Sequence, residues 1–195
     1  MNAPQADQAA HFAHLEYRSL RATIQQRGTL RVIVALVTWS VWAGLAMLGW
    51  TSGVSPIAGM IPLLLLVGGF ELVLSLHTGV ERVGRYLQIT FESGHSTPPA
   101  WEHVAMGMSR IWLSPGGLDP LFSGVFLLAT LINALPALVS SSTAEQSGAA
   151  IVHAAFAVRI MMARRFAARQ RSHDASALHQ VISSNSLVSK IQQGR

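Results

Sequence analysis

The chain has 195 residues, of which 50% are hydrophobic and only 12% are charged. Soluble domains average about 25% charged residues, so the deficit predicts that hydrocarbon surrounds much of the chain. Cysteine is absent, which excludes disulfides, thiolate catalysis and cysteine-ligated metal or iron–sulfur sites. The net charge of +5 comes without a nucleic-acid-binding motif, so nucleic acid is not an expected partner.

The first 29 residues favour a cytoplasmic amphipathic helix, most clearly over 8–26. An apolar stripe lies beside a basic one that includes Arg18 and Arg21. Gly28 and Thr29 then predict a bend. The basic stripe is expected to meet the anionic headgroups of the lipid bilayer, with docking of a partner protein as the alternative.

Four apolar stretches approach or reach the roughly 20 residues that a spanning helix needs. Their extents are about 30–50, 57–77, 120–139 and 149–166. Short links pair them as antiparallel hairpins, 30–77 and 119–166. The predicted fold is an all-α integral membrane protein with four transmembrane helices. Gly68 and Gly69 would let helix backbones approach closely, but glycine is common in membrane helices, so the preferred interpretation is that they mark no contact.

The distribution of basic residues predicts the orientation. Most of the 14 Lys and Arg residues fall in or beside three segments, namely 1–29, 78–118 and 167–195. The connections 51–56 and 140–148 contain none. Because basic residues accumulate on the cytoplasmic side, both termini are expected inside, and a bacterial cytoplasmic (inner) membrane is the expected location.

The second span is predicted to continue beyond the membrane to about Phe91. Glu81 precedes Arg85 by four residues, the favourable order for a helical ion pair. Glycine and two prolines then break the pattern over 94–99. The helix should therefore enter the cytoplasmic segment 78–118.

A short helix in the same segment places Trp101 and Trp112 on one face, which indicates an interfacial helix lying in the membrane plane. Packing on the projecting end of the second span is the alternative. After the fourth span, the segment 167–195 predicts a short amphipathic helix with a frayed end. The arginines Arg164, Arg165 and Arg169 should face lipid headgroups or a partner.

Glu71 is the most informative polar residue, because an ionisable group inside an apolar span is costly. Arg159, in the fourth span, lies at a similar depth. The preferred hypothesis is an interhelical ion pair that orients the two hairpins. The alternative is a carboxylate that couples proton or cation transport.

Asn133 and His153 lie at similar depth near the outer ends of their spans, which permits a hydrogen bond worth about 0.6 kcal/mol. A bis-histidine haem is disfavoured, because His77 and His153 differ by roughly 24 Å in depth at 1.5 Å per residue. Pigment ligation by a single histidine is the remaining alternative. No cofactor is predicted.

Four residues are weak candidates for a metal site at the membrane face. They are Glu92, His95, Glu102 and His103. The chain contains no HExxH, no histidine box and no paired ExxH motif, so exposed loop side chains are the preferred interpretation.

These features favour a small accessory or scaffold subunit that joins a larger membrane complex, a partner protein or other copies of itself. The second hypothesis is a small oligomeric transporter or channel centred on Glu71. A membrane-bound metal-dependent enzyme that uses the central loop is third. An enzyme is the less expected class, because no catalytic motif is present.

Overall fold

The computed structural model describes residues 3–52, 59–92, 120–139 and 142–193, and these ranges contain helices but no strand. The helices are α1 (Ala3–Thr51), α2 (Met60–Leu87), α3 (Pro120–Leu138) and α4 (Thr143–Gln193), and a π-helical turn, Gln88–Glu92, follows α2. Each α-helix contains a segment long and apolar enough to cross a membrane. The predicted all-α class with four such helices is confirmed, and the chain is a multi-pass membrane protein.

Two helices are longer than the sequence pattern predicts. α1 continues through Gly28 and Thr29, so the expected bend is wrong as a break in the helix. α4 continues to Gln193, so the expected short helix with a frayed end is also wrong. One glycine costs a helix only about 1 kcal/mol, and residues 149–193 contain no glycine or proline at all. Nothing in either segment is strong enough to stop the helix.

The chain divides into two compact units. The spanning unit consists of Thr29–His77 and Gly117–Ala167. The charged unit consists of Met1–Gly28, Thr78–Gly116 and Ala168–Arg195. The division falls close to the points where apolar sequence gives way to charged sequence.

Aromatic rings fill the centre of the spanning unit. Phe70 of α2 meets Phe126 of α3 and Phe156 of α4 edge-on, with ring centroids 5.4 and 5.8 Å apart. Trp39 of α1 packs on Phe126 with centroids 5.5 Å apart. All three phenylalanines are buried. Every helix therefore contributes a ring to one continuous core, whose edge-to-face contacts are the favourable geometry for aromatic pairs.

The buried positions of α4 alternate at spacings of four and three residues. They are Ala149, His153, Phe156, Ile160, Ala163 and Ala167. A seven-residue period of this kind produces left-handed bundle packing, in which each side chain fits between four of a neighbouring helix. Three of these six residues are alanines, so the sequence lets α4 lie close to its neighbours.

The outer surface of the spanning unit is apolar on all four helices. Leu36 of α1, Leu64 of α2, Leu131 of α3 and Val158 of α4 are each about half exposed or more. Soluble proteins rarely expose apolar patches of this extent. Lipid chains are the solvent that such a surface requires.

Gly69 marks the close approach of α2 to α1. A β-carbon at Gly69 would lie 2.8 Å from the β-carbon of Thr38, and it would also overlap the outer atoms of that side chain. Rotation of the Thr38 side chain leaves its β-carbon in place, so it cannot relieve the overlap. At Gly68 a β-carbon would meet nothing within 4 Å. Of the two predicted glycines, only Gly69 lies at a helix contact.

Candidate polar sites of the two units

Glu71 and Arg159 join α2 to α4. Arg159 Nη2 donates to Glu71 Oε2 over 2.7 Å. The structure thus brings together the two residues that depth along the helices had paired. Their side chains are 41% and 43% exposed, so the pair lies on the outer surface of the spanning unit.

The packing period explains this location. Glu71 follows the buried Phe70, and Arg159 precedes the buried Ile160. Each charged residue is therefore one position away from a core residue, beside the helix seam. These flanking positions are where helix bundles place interhelical ion pairs. An unpaired charge at the centre of a membrane helix costs about 2.5 to 3.5 kcal/mol, and pairing offsets part of that cost.

Asn133 of α3 is the centre of a hydrogen-bond network that reaches α1, α4 and the residue directly before α2. Its Oδ1 accepts from Trp42 Nε1 of α1 over 3.1 Å. Its Nδ2 donates to the carbonyl oxygen of Gly59, directly before α2, over 3.0 Å. The same amide nitrogen lies 3.1 Å from His153 Nε2 of α4. Both amide hydrogens and the carbonyl oxygen of one buried side chain are therefore used.

The surroundings of His153 determine which ring nitrogen carries its proton. Nδ1 lies 2.7 Å from the carbonyl oxygen of Ala149, and a carbonyl only accepts, so Nδ1 is the donor. Nε2 then accepts from Asn133. Since both nitrogens are occupied, ligation of a pigment or haem iron would require breaking one of these bonds. The geometry fits a structural role better than an axial ligand.

A second polar contact, which is partly buried and which sequence reasoning missed, joins α1 to α2. Arg31 Nη1 lies 2.8 Å from His77 Nδ1, which must accept because a guanidinium only donates. The Arg31 guanidinium also stands over the Phe122 ring, 5.0 Å from its centroid. Both polar residues lie at the ends of their predicted spans that face the basic segments. Their similar depth along the helices is the signal in the sequence that permits this contact.

The charged unit contains a buried arginine held by two carboxylates. Arg85 is 2% exposed and donates to Asp174 Oδ2 over 2.7 Å and to Glu81 Oε2 over 3.2 Å. The bond to Glu81 is the predicted pair within one helix. Asp174 lies on α4 beyond the end of the predicted fourth span. Arg82 is a more distant partner of the same carboxylate, with 3.7 Å between Arg82 Nε and Asp174 Oδ2.

Within the charged unit, α1 is bound to α2 by a polar contact and to the π-helical turn after α2 by an aromatic one. Tyr86 OH donates to Glu16 Oε1 over 2.9 Å. Tyr17 meets Phe91 edge-on with centroids 5.7 Å apart. Arg21, predicted to face lipid, donates its Nε to Tyr17 OH over 3.1 Å. Through Tyr17, the predicted apolar stripe of the N-terminal helix thus contacts the π-helical turn that follows α2.

The other predicted basic residues, Arg18, Arg164, Arg165 and Arg169, are exposed. Contact of these residues with lipid or a partner stays a prediction. Trp101, Trp112, His95, Glu102 and His103 lie outside the described residues, and so does the side chain of Glu92. Among the residues that the structure does describe, no cluster of three His, Asp or Glu could hold a metal ion.

No protein-family model, curated protein or solved structure matches this chain. The polar groups described above are joined to one another across helices, within each unit. Such contacts fix the rotation and depth of helices in a bundle. Glu71 and Arg159 form a polar feature on the outer surface of the spanning unit.

Proposed function

We propose that this chain is a small accessory or scaffold subunit of a bacterial inner membrane, with both termini in the cytoplasm. The observation that carries the proposal is the contrast between the interior and the outer surface of the spanning unit. Aromatic rings and hydrogen-bonded polar side chains fill the interior, whereas the Glu71–Arg159 pair lies outside. A packed bundle with a polar outer feature suits binding to another membrane protein.

The position of Glu71 argues against the transporter hypothesis. A coupling carboxylate needs a water-filled path between helices, where it can exchange protons or cations. Glu71 instead lies beside the α2–α4 seam, turned away from the core at Phe70, and is bonded to Arg159. Its charge is already compensated by a neighbouring helix.

The charged unit also supports the proposal. Long extensions of α1, α2 and α4 form it, and they are fixed to one another through Arg85, Asp174 and Glu16. The bias of Lys and Arg toward these segments supports a cytoplasmic location. A cytoplasmic partner would find a preordered helical surface there, which lowers the entropy cost of binding.

Site-specific photocrosslinking in cells tests the proposal. A photoreactive residue replaces His173 or Ser176, both exposed in the charged unit, and Val152, exposed on the spanning unit, serves as the control. The charged-unit positions should give a discrete adduct with one protein, and the control should give a different adduct or lipid alone. The adduct should reappear when the identified partner is tagged instead.

The accessory role is contradicted if no charged-unit position yields a discrete protein adduct. Uptake of a solute by proteoliposomes that contain this chain alone would also contradict it. Loss of that uptake in Glu71→Gln would establish the transporter instead.

A further inference from the structure

We propose that two copies of this chain form a two-fold symmetric dimer in the membrane, in which Glu71 of each copy bonds Arg159 of the other. The interface is the face of α2 and α4 around the ion pair. This inference does not rest on the accessory role, because a dimer can form with or without a further partner.

Within one copy, the Glu71–Arg159 pair makes fewer hydrogen bonds than its polar groups can form. A carboxylate accepts about four hydrogen bonds and a guanidinium donates five. Among the described residues, the pair shares one hydrogen bond, between Nη2 and Oε2. Lipid chains offer no partner for the remaining oxygen and N–H groups, and each such group is costly in hydrocarbon.

Both charged groups lie deep within the hydrocarbon core of the membrane. Glu71 lies six residues before His77, and Arg159 lies eight residues before Ala167, the residues at which the spanning unit ends. At 1.5 Å per residue these distances are about 9 and 12 Å. Against a hydrocarbon core of about 30 Å, both groups lie well inside. Only the flexible end of the arginine could reach toward the headgroups.

Small exposed side chains lie near the ion pair on the outer surface. Gly68 and Ser75 are exposed one turn before and one turn after Glu71 on the same face of α2. Ala155 is exposed one turn before Arg159 on α4. Small side chains at a membrane surface let another helix approach closely. These small residues lie one turn from the ion pair on α2 and on α4, beside larger exposed side chains such as Leu72 and Met162.

The charge pattern of this face matches a second copy of the same chain. Two opposite charges side by side on one face are complementary to a second copy of the same face, turned about a two-fold axis normal to the membrane. In such an interface residue i meets residue j while j meets i. The four charges then form a closed ring of alternating sign, and each carboxylate gains a second donor. A second copy therefore supplies the missing bonds with no further chemistry.

Complementation between two charge-reversed variants tests the dimer directly. Glu71→Arg and Arg159→Glu chains carry different fluorescent labels, and energy transfer in lipid vesicles measures their association. Alone, each variant has like charges within the copy and across the interface, so its dimer should weaken about tenfold or more. Mixed, the arginine introduced in one copy faces the glutamate introduced in the other, and association should return.

A neutral variant tests the same interface if a charge-reversed chain does not fold alone. Glu71→Gln/Arg159→Gln removes both charges without repulsion, and its dimer should also weaken about tenfold while circular dichroism stays unchanged. Disulfide formation between Gly68→Cys in one copy and Ala155→Cys in the other should map the contact, because the chain has no other cysteine.

A natural chain that is monomeric in vesicles would overturn the dimer. Unchanged association of the neutral variant would overturn the interface, and so would a mixture of folded charge-reversed chains that fails to associate. A monomer that still crosslinks to a companion protein would refute the dimer and leave the accessory role intact. A dimer that crosslinks to no companion protein would refute the accessory role and leave the dimer intact.

Discussion

Replacing Asn133 with alanine removes a side chain that bonds to α1, to α4 and to the residue directly before α2. Three hydrogen bonds are lost, to Trp42, Gly59 and His153. Hydrogen bonds between membrane helices average about 0.6 kcal/mol and reach about 1.7. We therefore expect Asn133→Ala to lower the free energy of unfolding by about 2 kcal/mol, and by no more than about 5.

Thr130→Val is a matched control for this variant. Thr130 is buried one turn earlier on α3, and its hydroxyl donates within its own helix, to Phe126 O over 2.7 Å. A back-bond of this kind stabilises a helix little, so the substitution should change stability by less than about 0.5 kcal/mol. Any difference between Asn133→Ala and the control therefore reports bonds between helices.

The assay is reversible unfolding in mixed micelles as the denaturing detergent is increased, followed by tryptophan fluorescence and circular dichroism. A double-mutant cycle with His153→Ala isolates the contribution of the Asn133–His153 bond. The reasoning is refuted if Asn133→Ala and Thr130→Val unfold at the same free energy within about 0.5 kcal/mol.

Gly69→Ala should lower the free energy of unfolding by about 1 to 3 kcal/mol, because its β-carbon would overlap α1, whereas Gly68→Ala should be neutral. Equal unfolding midpoints for the two variants would contradict the close approach. Asp174→Ala should destabilise the charged unit by about 3 kcal/mol, because it leaves the buried Arg85 with one carboxylate. Arg82→Ala, at a side chain that is 64% exposed, should lower the free energy of unfolding by less than 1 kcal/mol. Thermal unfolding of both variants measures the difference. Equal losses would show that Arg85 does not depend on this bond.

The position of residues along the membrane normal was readable from the sequence. A helix rises by a constant 1.5 Å per residue, so counting from the span ends gave similar depths for Glu71 and Arg159, and for Asn133 and His153. The structure places each of these two pairs in hydrogen-bond contact. Their functional roles stay predictions.

Rotation about the helix axes was not readable. Whether Glu71 faces the core or the lipid depends on which residues form the seam, and that depends on the packing of Phe70 against two other helices. The participation of Trp42 in the Asn133 network has the same cause, because an indole N–H on an apolar helix gives no sequence signal of its partner.

Helix length was the other source of error. The polar residues after Ser172 resemble a frayed end, because they lack a clear apolar stripe. Asp174 in this stretch bonds to Arg85 of α2, elsewhere in the charged unit. Tertiary contacts of this kind override weak local preference, and a single sequence does not reveal them.

The central claim is a four-helix membrane protein whose charged segments lie on one side, and single-cysteine labelling tests it most directly. The natural chain has no cysteine, so each introduced thiol is unique. Thr51→Cys and Ser142→Cys should react with a membrane-impermeant maleimide in intact spheroplasts, whereas Ser19→Cys and Ser176→Cys should react only after permeabilisation. Labelling of Ser19→Cys or Ser176→Cys together with Thr51→Cys in intact spheroplasts would contradict the arrangement.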